Sequence, residues 1–567
     1  MVRPLRALAR PVLLVPLGLF ALALLLRLIG VDWHGRHPDE DISGPARLLT
    51  GDLRVQSFYY PPLLTYLVAI AYVPLYLLGR IVGWWHSSAD FRAAYFGQPT
   101  FFLVTARTVV ALCSASAAPI AWALARQVRL SDRAAVLTGL AVAAVPGAIY
   151  WSHIAKSDSG IGPAFLLVAL CTLRFMERPQ SLRRAILVGV TTAVAISFKQ
   201  SALFFLAPAL ALFGLWSLRP TVTRGAFIRG WIVVLLATAV AAAILNIGIL
   251  LDPAPFIAAQ AVQSQMSFRA ASPGVTIGAW VTQLLSLDTG LPPVVLAGAA
   301  ALWAIGIAQG NSRARLLLTV SAIGWIVATI IICSITGSRQ PPHLWLPYLV
   351  LGICAAAIGS GTLIDADKRP LRLAGYAGFG LLLIGAAIRN APILTQATTP
   401  AMGTRIAAIV RSTMPPGAKL VSNIDLAGHL PLSAASQILP RARNERLAAR
   451  YGIALPPPDR PLTGVAGGYT VVDYPWVIGG LEGYRADQVK VVIAYAWPLQ
   501  PEEWQLARWR ARGFHYFVVA GAADRIDDPM PAYRDFFRAL DRCPRLATVP
   551  TDRSLFGEQD ARIYHCV

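Results

Sequence analysis

Long uninterrupted apolar segments fill the first two thirds of this chain, and they constrain its fold more than any other feature. Segments such as 231–251 and 316–335 are long enough to cross the hydrocarbon core of a bilayer as helices. Only 14% of the residues are charged, whereas a soluble protein has roughly 25%. We therefore predict a polytopic α-helical membrane protein.

About eleven spans are predicted from these segments and from the loops between them. Basic residues collect in alternate short loops, as on the cytoplasmic side of membrane proteins, where they favour anionic membrane lipid. The net charge of +21 therefore reflects membrane topology and does not indicate a nucleic-acid partner. The predicted spans are 11–29, 101–125, 134–150, 160–176, 184–198, 201–217, 231–251, 291–309, 316–335, 344–363 and 371–389.

The N-terminal segment 1–28 has a basic start and an apolar body. A signal peptide has the same pattern, but no small-residue cleavage site follows here, so we interpret the segment as a retained signal anchor. Its positive charges place the N-terminus in the cytoplasm.

One apolar segment, Leu63–Val82, does not fit the alternation. If it crossed the membrane, every later basic loop would face outward, so we predict that it lies along the outer interface, anchored by Trp84 and Trp85. The odd number of remaining spans puts the C-terminal part of the chain outside the cytoplasm. The same count places four isolated polar residues on that outer side, namely Asp39, Asp158, Lys199 and Arg339.

From residue 391 onward, short apolar runs of strand length alternate with helical stretches. This predicts a soluble extracytoplasmic α/β domain over 391–567, after a transmembrane domain over 1–390 whose first outer loop and interfacial helix lie at 30–100. Cys543 and Cys566 could form a disulfide in such a compartment. The predicted strands are 418–421, 469–472, 489–495 and 516–520, and the predicted helices are 501–512 and 532–540.

An acidic cluster follows the first span, in the sequence Arg36-His37-Pro38-Asp39-Glu40-Asp41. Adjacent carboxylates beside a bilayer are costly unless they serve a function. Further along, Tyr60-Pro61-Pro62 opens the interfacial segment. The two motifs together indicate an active site on the outer face of the membrane, and the alternative interpretation is a solvated acidic turn.

Five motifs in order resemble those of the GT-C glycosyltransferases, with most similarity to the protein O-mannosyltransferase and aminoarabinose-transferase group, which uses polyprenyl-phosphate sugars. The similarity covers about residues 10–390, and Arg339 to Tyr348 is a sixth, weaker match. Two positions depart from the family: relatives often have a basic residue in place of Tyr60, and Gly or Tyr in place of Gln200. The five motifs are His37 to Glu40, Tyr60 to Leu63, Arg107 within 105–115, Lys156-Ser157-Asp158, and Phe198-Lys199-Gln200.

The resemblance implies that the chain transfers a sugar from a polyprenyl-phosphate donor to an extracytoplasmic acceptor, which is a protein, a lipid or a glycan. Because the lipid phosphate is the leaving group, no ATP and no cofactor are expected. A general base must take the proton of the attacking hydroxyl or amine, and Asp39 is the candidate, with Glu40 as substitute or orienting partner. By the same resemblance, a single displacement would invert the anomeric configuration.

The departing phosphate needs cations where its negative charge develops, and Lys199, Arg339 and His343 are the candidates. Lys199 has an alternative interpretation as a snorkelling residue at a helix end, and Arg339 as an ordinary charge of an outer loop. Arg107 lies inside a span, so it is expected to pair with the donor phosphate or with a carboxylate of the first outer loop.

Three further residues complete the predicted site. Asp158 is assigned a catalytic role in orienting the acceptor or the sugar, with a helix N-cap as the alternative. His37 and Tyr60 are assigned to substrate positioning. No metal is expected, because His34 and His37 lack further converging ligands.

Two other classes of function remain open. A transporter or flippase of lipid-linked saccharides would place ionisable residues near the bilayer midplane and often shows internal repeats, whereas these charges lie mostly at outer span ends. A non-catalytic scaffold or sensor would leave the outer-face cluster unexplained. The abundance of Ala, Arg and Leu is compatible with a GC-rich bacterium, and so with an inner-membrane protein whose C-terminal domain is periplasmic.

Overall fold

The computed structural model of the chain forms two compact units. The first comprises 1–32, 37–84 and 101–395, and the second comprises 33–36, 85–100 and 396–567. The structure describes residues 10–33, 40, 42–49, 51–54, 60–97, 100–218, 223–267, 272–286, 290–336, 341–424, 426, 428–450, 464–473, 504–528 and 531–567.

The first unit is built from apolar helices. In chain order the helices are α1 (Arg10–Leu28), α2 (Ser43–Leu48), α3 (Leu63–Val82), α4 (Ser88–Gly97), α5 (Thr100–Ala115), α6 (Ala117–Gln127), α7 (Asp132–Ala143), α8 (Pro146–Tyr150), α9 (Asp158–Glu177), α10 (Leu182–Phe198), α11 (Leu203–Ser217), α12 (Arg224–Leu245), α13 (Ile247–Leu251), α14 (Pro253–Ser267), α15 (Pro273–Leu285), α16 (Pro293–Gln309), α17 (Ser312–Thr336), α18 (Leu346–Ile364) and α19 (Arg369–Thr398). Of these, α4 belongs to the second unit.

Eight helices in the described part of the chain are long and apolar enough to cross a membrane, or nine if the bent pair α7–α8 is one span. Each of the about eleven predicted spans falls on a helix or on consecutive helices. The chain is therefore an integral membrane protein, as predicted. Because α3 also qualifies by length and composition, its interfacial position and the exact number of spans stay predictions.

Glycines allow close helix crossings in the first unit. A Cβ at Gly189 of α10 would lie 2.6 Å from the Val234 carbonyl oxygen of α12. A Cβ at Gly359 of α18 would lie 1.9 Å from the Leu302 carbonyl oxygen of α16. No side chain fits at either place, and such close approach of backbones supplies the van der Waals packing that holds helices together in lipid.

The pair α7–α8 is a broken helix. Helix α7 ends at Ala143 and helix α8 begins at Pro146, and the two helices are bent by 55° relative to each other. Because proline has no N–H to donate, carbonyl groups of the preceding turn need other partners. Arg27 Nη1 donates to the Ala143 oxygen at 3.0 Å, and Asn390 Nδ2 donates to the Ala144 oxygen at 2.8 Å. Side chains from α1 and α19 thus stabilise the break.

The second unit contains a mixed sheet with helices on both faces. Its strands are β1 (Lys419–Ser422), β2 (Thr470–Asp473), β3 (Tyr516–Ala520), β4 (Arg545–Val549) and β5 (Ala561–His565), and its further helices are α20 (Met402–Thr413), α21 (Ala435–Arg450), α22 (Leu506–Ala511), α23 (Ala522–Arg525) and α24 (Pro531–Asp541). The strand order is β2-β1-β3-β5-β4, in which β1 is parallel to β2 and β3, and β5 is antiparallel to β3 and β4. Phe517 packs with α24 on one face, and Val518 packs with α20 on the other.

The predicted α/β character of this region is confirmed. Three predicted strands coincide with β1, β2 and β3 to within one residue, and the fourth, 489–495, lies outside the described residues. The strands β4 and β5 were not predicted, because charged residues such as Arg562 interrupt their short apolar runs. Cys543 and Cys566 form a disulfide with an S–S distance of 2.10 Å. The domain boundary at residue 390 and the compartment of this unit stay predictions.

Candidate active site

Glu40 is held in a buried ion pair at the end of the acidic loop, the name used here for residues 30–42. Its carboxylate accepts hydrogen bonds from Arg107 Nε at 2.8 Å and Nη2 at 2.9 Å, and from the Ala155 backbone N–H at 2.7 Å. Both side chains are fully buried. Of the two partners predicted for Arg107, the structure shows the loop carboxylate, Glu40.

This ion pair limits what its two members can do. A carboxylate bound in fork-to-fork geometry by a guanidinium and also by a backbone N–H is fixed in position. The arrangement therefore fits the orienting role predicted for Glu40 better than the role of substitute base. Arg107 donates to Glu40 from Nε and Nη2, and its Nη1 donates to the Val31 oxygen at 3.3 Å.

A second buried cluster forms around Asp158, the first residue of α9. Lys199 Nζ donates to Asp158 Oδ1 at 2.6 Å, and Lys156 Nζ lies 3.9 Å from Oδ2. Lys199 occupies an extended position between α10 and the short turn Gln200–Ala202, and only 6% of it is exposed. Burial and pairing therefore argue against a snorkelling lysine. The N-cap of α9 is Ser157 and not Asp158. The carboxylate of Asp158 instead pairs with the two lysines.

His343 and Tyr60 join this cluster from distant parts of the chain. Lys156 Nζ lies 3.2 Å from His343 Nδ1. The ring of Tyr60 faces both ammonium groups, with its centroid 4.9 Å from Lys199 Nζ and 5.6 Å from Lys156 Nζ. An aromatic face attracts cations, so Tyr60 helps to hold the two lysines side by side.

A small cavity of about 10 Å³ adjoins the cluster. Its polar wall includes Asp158, Lys199 and His343. The rest is largely apolar, with Ile161, Phe165, Ile332, Leu344, Pro347 and Tyr348 among the lining residues. The lining places a lysine and a histidine beside apolar side chains, a combination that suits contact with a ligand that is anionic at one point and otherwise apolar.

The structure does not test every predicted site residue. His37, Asp39 and Arg339 lie outside the described residues, so their roles stay predictions. Within the described part of the chain, no group of three or more His, Cys, Asp or Glu side chains is arranged to hold a metal ion. Sequence reasoning assigned no role to Lys156 or Tyr348, although both stand inside the motifs that carry the family resemblance.

Comparisons with known proteins agree with the predicted family. Residues 96–244 match the model of the family described as dolichyl-phosphate-mannose-protein mannosyltransferase. That stretch includes Arg107, Lys156, Asp158 and Lys199. No curated protein sequence matches the chain.

Solved structures of similar architecture include one that aligns along nearly the whole chain. ArnT from Cupriavidus metallidurans in the apo state gives a TM-score of 0.50 at 14% identity, over 97% of this chain and 97% of that one. The same protein bound to undecaprenyl phosphate gives 0.49 at 15% identity, over 96% and 97%. The apo oligosaccharyltransferase of Archaeoglobus fulgidus gives 0.45 at 13% identity, over 89% and 69%.

The likeness to apo ArnT establishes the fold, and the match over 96–244 adds the sequence signature of a glycosyltransferase family. Together they confirm the predicted fold class and the predicted class of enzyme. The chain is thus a membrane glycosyltransferase of the GT-C fold, with the sequence signature of the dolichyl-phosphate-mannose-protein mannosyltransferases over residues 96–244.

Proposed function

We propose that this protein transfers a sugar from a polyprenyl-phosphate donor to an acceptor on the outer side of the membrane, the acceptor being a protein, a lipid or a glycan. The observation that carries the proposal is the convergence of Lys199 and His343 on one partly apolar cavity, with Lys156 Nζ 3.2 Å from His343 Nδ1. A lipid phosphate combines an anionic group with an apolar chain, and the cavity offers both environments. The names of the matching family and of one ArnT structure also refer to lipid phosphates.

The cations of the cavity are proposed to bind the donor phosphate. When the bond between the anomeric carbon and the phosphate oxygen breaks, negative charge grows on the phosphate, and buried ammonium groups stabilise it without prior reorganisation. Lys199 and Lys156 supply this charge, with His343 beside them and Arg339 as a further predicted contact. Arg107 is proposed to orient Glu40, because two of its nitrogens, Nε and Nη2, donate to that carboxylate.

The proton of the acceptor is proposed to pass to Asp39. As the acceptor oxygen or nitrogen forms its bond to the anomeric carbon, its proton moves to the Asp39 carboxylate, and the electron pair of the broken bond leaves with the polyprenyl phosphate. Asp39 directly precedes Glu40 in the sequence, so the buried Glu40–Arg107 pair is expected to orient the base. Asp158 orients the lysines, and His37 and Tyr60 position the substrate.

The protein is further proposed to lie in a bacterial inner membrane, with its N-terminus in the cytoplasm and its site and C-terminal unit on the periplasmic side. The alternation of basic loops along the sequence supports this orientation. Transport of a lipid-linked saccharide remains the alternative function, and it predicts movement of the donor without transfer.

The proposal is tested by sugar transfer in membranes that contain equal amounts of wild type, Asp39→Asn and Asp52→Asn. Labelled polyprenyl-phosphate sugars are supplied as donors. Asp52 is the matched control, because it undergoes the same chemical change and forms an ion pair with the exposed Arg54, at 2.9 Å. We expect transfer by wild type and by the control, with a fall of roughly 10²–10⁴-fold in Asp39→Asn.

Other results would decide against parts of the proposal. Equal transfer by wild type and Asp39→Asn would remove Asp39 as the base. If wild type moved labelled donor across the bilayer of proteoliposomes without transferring the sugar, the proposed glycosyltransferase function would be wrong and transport would be favoured.

A further inference from the structure

A chain of hydrogen bonds that begins at Arg27 connects the two halves of the broken helix. Arg27 Nη1 donates at 3.0 Å to the oxygen of Ala143, the last residue of α7. Arg27 Nε donates to Ser114 Oγ at 2.9 Å, and the Ser114 hydroxyl donates to the Ala148 oxygen at 3.2 Å. Because Ala148 belongs to α8, one guanidinium holds α7 directly and α8 through a hydroxyl group.

The guanidinium makes these contacts away from solvent. Arg27 is fully buried, and Ser114 is 1% exposed. The acceptors of Arg27 are neutral, namely the Ser114 hydroxyl and the backbone oxygens of Ala23 and Ala143. Within the described part of the chain, Nη2 has no hydrogen-bond partner. The positive charge is therefore stabilised by carbonyl dipoles at helix ends, since Arg27 lies in the last turn of α1 and Ala143 ends α7.

The second half of the broken helix, α8, leads directly into the cluster around Asp158. After α8 the chain passes through the short turn Trp151–His153 and the connection 154–157, all of it buried, before α9 begins. Lys156 lies in this connection, with its Nζ 3.9 Å from Asp158 Oδ2 and 3.2 Å from His343 Nδ1. A change in the direction of α8 would therefore move Lys156 away from both partners.

We infer that Arg27 and Ser114 are positioning residues, whose hydrogen-bonded chain sets the direction of α8 and so holds Lys156 beside the donor phosphate. The inference rests on the proposed function, in which Lys156 contributes to phosphate binding. Neither Arg27 nor Ser114 is among the described residues that line the cavity, so they act through Lys156 and not on the ligand. Loss of the chain should therefore weaken the binding of a polyprenyl phosphate.

One substitution separates the two arms of the chain. Ser114→Ala removes the arm to α8 and leaves the contact of Arg27 with α7 in place. The control is Ser116→Ala, the same chemical change at a hydroxyl that donates to the Cys113 oxygen at 2.6 Å, within its own turn of the chain. Each substitution is also combined with Lys156→Met. If Ser114 acts through Lys156, its removal should matter only while Lys156 is present.

The experiment measures the binding of undecaprenyl phosphate to purified full-length variants in nanodiscs, together with hydrogen exchange of residues 144–157. We expect Ser114→Ala to weaken the affinity about 10-fold, the lower end of the loss expected for a charged hydrogen bond, and to speed exchange in this segment. In the Lys156→Met background, the same substitution should change the affinity by less than about 3-fold. Ser116→Ala should behave as wild type in both measurements.

Several outcomes would overturn the inference. Unchanged affinity or unchanged exchange in Ser114→Ala would show that the chain does not position Lys156, and an equal loss of affinity in both backgrounds would assign Ser114 to general stability. If Ser114→Ala fails to fold, Arg27→Lys takes its place under the same criteria, because an ammonium keeps the charge beside Ala143 but lacks the Nε donor that Ser114 accepts from. A wild type that binds no undecaprenyl phosphate would refute the proposed function together with this inference, whereas normal binding by both wild type and Ser114→Ala would refute this inference alone.

Discussion

The buried pair of Glu40 and Arg107 should behave as one energetic unit. Replacing Arg107 by Met preserves much of the side-chain volume but leaves the Glu40 carboxylate buried without the guanidinium that pairs with it. Breaking a buried ion pair in this way costs about 3–5 kcal/mol of unfolding free energy. Glu40→Met should cost a similar amount, since it removes the carboxylate that pairs with the buried guanidinium.

The double variant gives the stronger test. With both charges removed, no buried charge is left unpaired, and such replacements are often close to neutral. The Ala155 N–H still loses its acceptor, which costs about 1–3 kcal/mol. We therefore expect the free energy of unfolding of the double variant to be about 1–3 kcal/mol lower than that of wild type. This loss is much smaller than the sum of the losses in the two single variants.

These free energies can be measured by equilibrium unfolding in mixed micelles with increasing sodium dodecyl sulfate. Arg126→Met is the control, because Arg126 forms an exposed pair with Asp132, and such pairs contribute about 0–1 kcal/mol. Additive costs in the double variant would refute the coupling. If Arg107→Met lost donor binding while its free energy of unfolding stayed unchanged, Arg107 would instead be assigned to binding the donor phosphate.

Three further predictions concern the lysine cluster and the second unit. Lys199→Met should raise the donor KM roughly 10–100-fold, as expected for loss of a charged hydrogen bond worth about 1.5–3 kcal/mol; an unchanged KM in transfer assays would contradict the proposed phosphate contact. Tyr60→Phe should keep donor affinity, because the aromatic face and not the hydroxyl meets the lysines, whereas Tyr60→Ala should weaken it by about 0.5–2 kcal/mol in direct binding measurements; equal loss in both would implicate the hydroxyl. Cys543→Ser opens the loop that the disulfide closes over a separation of 23 residues, and it should cost about 3 kcal/mol of the free energy of unfolding of the second unit; thermal unfolding with unchanged midpoints would argue against this.

The sequence was sufficient to predict the helical membrane unit, because long apolar runs and alternating basic loops are local signals. The break between Ala143 and Pro146 was missed within the predicted span 134–150. Apolar residues continue across it, and the side chains that stabilise it, Arg27 and Asn390, come from other helices. Periodicity along one segment contains no information about such partners.

The same limit applies to the candidate site. Arg107 was recognised as a costly charge in a span, but its choice between a loop carboxylate and a donor phosphate depends on a partner 67 residues away. The contact between Lys156 and His343 joins residues separated by 187 positions. Motif order indicated that these residues belong to one site, and only the packing of the helices shows which of them touch.

The position of β5 has a consequence for how the protein is made. This strand, Ala561–His565, lies inside the sheet between β3 and β4. The ribosome synthesises the chain from its N-terminus, so β1 to β4 are made before β5, the strand that joins β3 to β4. Helices of the first unit can enter the membrane one after another during translation, whereas the sheet cannot be completed until residue 565 has emerged. Until then the edge of β3 that β5 will cover stays open, and an open strand edge can pair wrongly or bind a chaperone.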